Sequence, residues 1–198
     1  MRLFVAIDLD DRARAAVIGE QKRLASLDPR GASLKWVRAE QLHLTIAFLG
    51  EVEESRAAVA AGVISGGVDQ APFEVEFEGL GVFPPRGAPR ALWVGIGLGE
   101  AELRALARGI AEALMRAGFV LDARPFSPHL TLARWKVSRP GDRLRVIART
   151  AGPDRSVSGP PGILARVEID HATLYCSRLS PSGASYTELA RANLAARG

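Results

Sequence analysis

The chain contains a single cysteine, Cys176, so it has neither an internal disulfide nor a cysteine-based metal site. Without a disulfide framework a cytoplasmic protein is the expectation. Lysine is nearly missing: only Lys22, Lys35 and Lys136 occur, and the other basic residues are arginine. Histidine is also scarce, with His43, His129 and His171 the whole set. No run of about 18 apolar residues occurs, which excludes a membrane-spanning helix. The opening Met1–Asp10 holds one arginine and an apolar run that stops at Asp8, too short for a signal-peptide core.

What is present is an ordinary globular composition. Over 198 residues, 47% are hydrophobic, enough for a sizeable core in a single domain or in one domain of two similar lobes. The net charge of +4 is carried by arginine, whose fork suits phosphate. A nucleic-acid partner is compatible with that balance but does not follow from it.

The informative feature is a repeat. His43-Leu44-Thr45-Ile46-Ala47 returns as His129-Leu130-Thr131-Leu132-Ala133. In a strand, alternate side chains share a face. His43 and Thr45 would then share one face and Leu44 and Ile46 the other, with the same split in the second copy. If the two strands lie side by side, two imidazoles and two hydroxyls surround one spot. Imidazole titrates near neutrality, so one ring can accept a proton and the other give one. The threonine hydroxyls can donate to an anion held between them. Arg134 stands five residues past His129, so strict alternation points it to the opposite face unless a bulge intervenes. The arrangement suits phosphodiester cleavage without a metal or any other cofactor. A single such pentapeptide is a weak signal, but two copies hold two of only three histidines. His171 follows Asp170 without such a partner and reads as a structural or surface residue.

Local patterns fill in the rest. Arg2–Asp8 reads as a buried strand, and Asp10 or Asp11 caps a helix over 11–27, closed by the turn Asp28-Pro29-Arg30-Gly31. Leu34–Val37 and Leu42–Leu49 read as strands, and 54–64 as a helix ending at Gly66-Gly67. Phe73–Phe77 alternates strictly, with Glu74, Glu76 and Glu78 outward. A stiff loop at 83–90 precedes a strand at 91–97. Gly95-Ile96-Gly97-Leu98-Gly99 ends that strand and is not a phosphate loop. Glu100–Gly118 is the clearest helix. Arg124–Pro128 leads stiffly into the second motif strand, His129–Trp135. A short helix is expected over 142–150, a loop over Ala151–Gly162 and one strand over Arg166–Tyr175. The tail 186–196 has helical composition but a position that suits a final strand. Phe48, Tyr175, Trp93 and Trp135 are aromatics able to stack on a base or fill the core. These elements amount to an α+β chain with one lobe per motif.

Beyond the pentapeptides, RLFVAIDL, WVRAEQLHLTIAFLGEV (36–52), FPPRGAPRALWVG (83–95), RPFSPHLTLAR (124–134) and LYCSRLSPSGASY (174–186) together resemble the two-histidine (2H) phosphoesterases. Within them the match is to the RNA 2′,3′-cyclic phosphodiesterases, also called 2′-5′ RNA ligases. The resemblance implies two pseudo-symmetric lobes, each an antiparallel sheet with helices packed outside, around a central cleft. It implies hydrolysis of an RNA 2′,3′-cyclic phosphate to a 2′-phosphate, with His43 as proton donor and His129 as proton acceptor. Thr45 and Thr131 would hold the phosphate and Arg134 would add a contact, with Phe48 and Tyr175 on the substrate side. The substrate would be an RNA end or nucleotide bearing the cyclic phosphate, taken by a monomer away from membranes. Three alternatives stay open: the reverse, joining reaction, a non-catalytic RNA-end-binding protein, and a cyclic phosphate that is not RNA.

Overall fold

The chain alternates between two five-stranded sheets rather than completing one before starting the other. In a computed structural model, residues 1–27, 34–122, 125–139, 141–142, 162–180 and 183–196 are described. The strands are β1 (Arg2–Asp8), β2 (Leu34–Trp36), β3 (His43–Glu51), β4 (Val68–Asp69), β5 (Phe73–Phe83), β6 (Ala91–Ile96), β7 (Leu130–Trp135), β8 (Ala165–Ile169), β9 (His171–Ser180) and β10 (Gly183–Ala195). Helices α1 (Asp11–Leu27), α2 (Glu54–Ser65) and α3 (Glu100–Arg116) connect them. One sheet has the order β3-β1-β9-β10-β4 and the other β2-β7-β6-β5-β8. Among the described residues every strand pairing is antiparallel except β10 with β4.

Each sheet therefore carries one motif strand, but neither is built from one half of the chain. The short β2 leaves the N-terminal half to pair with β7, while β9 and β10 return to flank β1. The motif strands β3 and β7 are not paired side by side as the periodicity suggested. They lie in different sheets and approach across the junction between them.

Local chemistry explains most boundaries. Asp10 Oδ1 accepts from the Ala13 amide at 2.7 Å and so caps α1, satisfying one donor its first turn would leave unpaired. In α3, Leu103, Leu106, Ile110 and Leu114 recur at helical spacing, and all are buried. Burying each such side chain contributes roughly 1.5–3 kcal/mol. Gly99 begins α3 at φ 81°, where a Cβ would stand 2.2 Å from the Glu74 carbonyl, so only glycine fits.

Two expectations fail and one open reading is decided, each for a tertiary reason. The strand expected over Arg166–Tyr175 breaks at Asp170, and its two pieces enter different sheets: β8 pairs with β5, whereas β9 pairs with β1 and β10. The strand expected to end at Phe77 continues to Phe83, because a register shift at Gly79 (φ 66°) lets pairing with β6 resume. The tail is a strand despite its alanines. Ala190, Ala192 and Leu194 are buried in alternation, and pairing with β9 overrides helix propensity. The turn at 28–31, Arg124, the helix expected over 142–150 beyond its first residue and the loop of 151–161 lie outside the described residues.

Candidate active site

The site begins with a repeated backbone device. Along β7, Ala133 pairs with Leu92 and Thr131 with Trp93, so Leu132 has no counterpart on β6. Along β3, Ala47 pairs with Val5 and Thr45 with Ala6, so Ile46 likewise has none on β1. Each motif strand thus carries a β-bulge at the residue after its threonine. The extra residue resets the alternation. Leu132 and Ala133 are both buried, and Arg134 emerges on the face of Thr131. The same step brings Phe48, 54% exposed, onto the face of Thr45. Strict alternation had pointed Arg134 away from the site, and the bulge corrects that.

The bulge in β7 is held from behind. The carbonyl of Leu132 accepts from the Val37 amide at 2.9 Å and from Gln21 Nε2 at 2.9 Å. The same Gln21 nitrogen reaches the Val37 carbonyl at 2.9 Å, tying α1 to the β2–β7 ladder.

Both histidines are anchored in the same manner. His129 Nδ1 donates to the carbonyl of Ser127, two residues earlier, at 2.7 Å. A carbonyl only accepts, so this bond puts the proton on Nδ1 and leaves the lone pair on Nε2. A ring nitrogen of His43 is bonded to the backbone of Gln41, again two residues earlier. Each ring lies against aromatics. His43 packs on Phe4 and edge-on to Tyr186, with centroids 4.9 and 5.2 Å apart. His129 meets Phe83 edge-on at 4.9 Å and Trp93 at 6.1 Å. Trp93 lies over Gly81, where any Cβ would fall 2.2 Å from the indole.

Electrostatics separate the two rings. Burial pushes the His43 imidazole down to about 4, only partly offset by the Gln41 bond and the Asp8 carboxylate, with Arg134 pushing the same way as burial. Burial also lowers His129, against the Ser127 bond and with Arg134. Arg134 thus acts on both rings, and on Tyr186 as well. The hydroxyls of Thr45 and Thr131 and the Arg134 guanidinium have no hydrogen-bond or ion-pair partner among the described residues. Two neutral imidazoles, two free hydroxyls and one free guanidinium are equipped to bind an anion and move protons around it.

Asp8, Thr173 and Tyr186, which the sequence did not single out, complete the His43 side together with Tyr175. Asp8 lies directly opposite His43 in the β1–β3 ladder. Its carboxylate accepts from Tyr175 Oη at 2.9 Å and from Thr173 Oγ1 at 3.1 Å. Burial, then this bond, raises the Tyr175 phenol. A pocket of about 480 Å³ opens here, lined by Asp8, Arg14, Leu42, His43, Tyr175 and Tyr186 among others. The available signal was a carboxylate ending an otherwise apolar strand. Tyr186 offered none, because β10 reaches the site only through the sheet. Tyr175 lines this pocket, and Phe48 is exposed beside Phe4, their ring centroids 6.3 Å apart. Trp135 instead packs against the core, and His171 pairs with Asp170 at the surface, as a structural residue should. Among the described residues no cluster of three His, Cys, Asp or Glu side chains is arranged to hold a metal ion.

This twin-lobed, two-histidine arrangement agrees with the comparison to known sequences. Residues 10–159 match the model of the 2′-5′ RNA ligase superfamily, and the chain belongs to that family. Among its relatives, an RNA 2′,3′-cyclic phosphodiesterase of Archaeoglobus fulgidus is 36% identical, over 96% of this chain and 98% of its own length. Among solved structures, TT0787 of Thermus thermophilus superposes with a TM-score of 0.75 at 27% identity, covering 98% of this chain and 97% of its own. E. coli LigT complexed with 3′-AMP gives 0.73 at 26% identity, covering 98% and 97%.

Proposed function

We propose that the protein is an RNA 2′,3′-cyclic phosphodiesterase that opens the cyclic phosphate to a 2′-phosphate by two-histidine acid–base catalysis. The observation that carries this reading is the equivalent placement of His43 and His129. His43 begins β3 and His129 immediately precedes β7, in different sheets, each anchored through a ring nitrogen two residues back, with the Arg134 cation felt by both. The relatives named RNA 2′,3′-cyclic phosphodiesterase support the substrate.

In this mechanism the phosphate lies between the motifs. Its non-bridging oxygens accept from Thr45, Thr131 and Arg134, which hold the charge that builds up on them. Nε2 of His129 takes a proton from water as the water oxygen bonds to phosphorus. The bond from phosphorus to the 3′ oxygen breaks, and His43 gives that oxygen its proton. The products are a 2′-phosphate and a 3′-hydroxyl, with the proton inventory of the two rings exchanged.

A donor must arrive protonated, yet burial by the protein alone keeps His43 neutral at pH 7. The substrate supplies the missing counter-charge, because its phosphodiester anion stabilises an imidazolium beside it. The donor role of His43 follows from the resemblance to the family, and Asp8 is the carboxylate beside it that helps its imidazolium form.

The test is turnover of a purified nucleoside 2′,3′-cyclic phosphate. His43→Ala and His129→Ala should each lower it by at least ~10²-fold. EDTA should leave the rate unchanged, and the product should be the 2′-phosphate. Wild-type rates in either variant would sink the reading, and a 3′-phosphate product would reverse the leaving group.

A further inference from the structure

The face that presents Thr131 and Arg134 carries a second cation that the mechanism does not use. Lys35 lies directly opposite Arg134 in the β2–β7 ladder. Residues directly opposite in an antiparallel pair share a face. Burial agrees: Leu34, Trp36 and Trp135 pack against the core, Ala133 is buried, and both Lys35 and Arg134 are exposed on the other side. Two like charges in this relation repel each other unless an anion comes between them. Neither Lys35 nor Arg134 is in an ion pair with a described residue. Lys35 is also one of only three lysines in the chain.

The two sides of the cleft differ in charge. Beyond His43 stand Asp8 and Glu40 with a single cation, Arg14, whose guanidinium is taken up by the carbonyls of Ala39 and Leu9. Beyond Thr131 stand Arg134 and then, one strand spacing (about 4.8 Å) further out, Lys35 at the sheet edge. We infer that Lys35 and Arg134 form a second phosphate subsite, which takes the 5′-phosphate of the nucleotide whose cyclic phosphate is opened. This rests on the reading of the site as a cyclic phosphodiesterase and narrows its substrate to the end of a polynucleotide. A compact ammonium suits this role, since the backbone phosphate needs charge rather than a fixed bidentate geometry.

The experiment compares adenosine 2′,3′-cyclic phosphate with the same compound carrying a 5′-phosphate. The wild type should favour the 5′-phosphorylated substrate by about tenfold in kcat/KM, the size expected of a charged hydrogen bond. Lys35→Ala should erase most of that ratio, and Lys35→Arg should keep it. For the 5′-phosphorylated substrate, log kcat/KM should fall less steeply with log salt in Lys35→Ala, because one screened charge contact is lost. Calorimetry with adenosine 2′-phosphate and adenosine 2′,5′-bisphosphate gives a readout without turnover, with the same tenfold preference and the same loss expected. A wild type indifferent to the 5′-phosphate would overturn the inference. So would a Lys35→Ala variant that weakens both substrates by one factor. If calorimetry shows the preference while neither cyclic compound is hydrolysed, the assigned activity fails and the subsite stands.

Discussion

The two halves of the site share a backbone and differ in charge. The His43 half and the His129 half each present a histidine, a threonine, a bulge residue and an outward residue three positions past the threonine. In the first half that residue is Phe48, and a carboxylate, Asp8, faces the histidine. In the second it is Arg134, and Lys35 faces the arginine. The repeat thus sets where side chains emerge, while individual substitutions decide what each half does. A symmetric frame with asymmetric charge places a carboxylate opposite one histidine and two cations on the other half.

Exchanging or deleting the features that differ tests this contrast. The largest effect is expected at the equivalent outward positions. Arg134→Ala should lower kcat/KM on a nucleoside 2′,3′-cyclic phosphate by ~10²–10³-fold, the usual cost of one transition-state donor. Phe48→Ala, at the matching place, should cost only a few-fold by the same assay; equal losses would mean that the halves are chemically alike.

The next contrast is in stability. The unfolded imidazole binds its proton near 6.5, whereas folded His43 does so only near 4. As pH falls through that window the unfolded state takes up the proton first, so the folded state loses stability. Urea unfolding at about pH 7 and about pH 4.5 should show a fall in stability about 2 kcal/mol larger in the wild type than in His43→Gln. If both proteins lose the same amount, His43 is not buried as a neutral ring.

The last contrast is at Asp8, where a smaller effect than at Arg134 is expected. Asp8→Asn keeps the shape that meets Tyr175 and Thr173 but removes the charge. It should lower kcat by about tenfold and move the His43 titration, followed by NMR, further down. The His129 titration should stay where it is. Movement of both rings, or of neither, would remove the distinction between the two halves.

The legibility of the site followed the range of the forces that build it. His43, Thr45, His129 and Thr131 could be placed on common faces because strand alternation is local. Arg134 could not, because the bulge at Leu132 is a matter of register between β6 and β7, pinned by Gln21 from a distant helix. Asp8 was visible only as a polar end to an apolar strand, and its position opposite His43 needed the β1–β3 pairing. The β10 tail was ambiguous because its alanines favour a helix in isolation, and only burial against β9 decides otherwise.

By itself the sequence determined the twin motifs, the α+β class, most helix limits and the four side chains at the centre. These depend on periodicity and capping, which act within a few residues. The tertiary structure alone decided that the motif strands occupy different sheets, that each sheet draws on both ends of the chain, and that Arg134 and Lys35 share the cleft face. Those depend on strand register and long-range pairing, where a one-residue shift reverses which side of a sheet a residue meets.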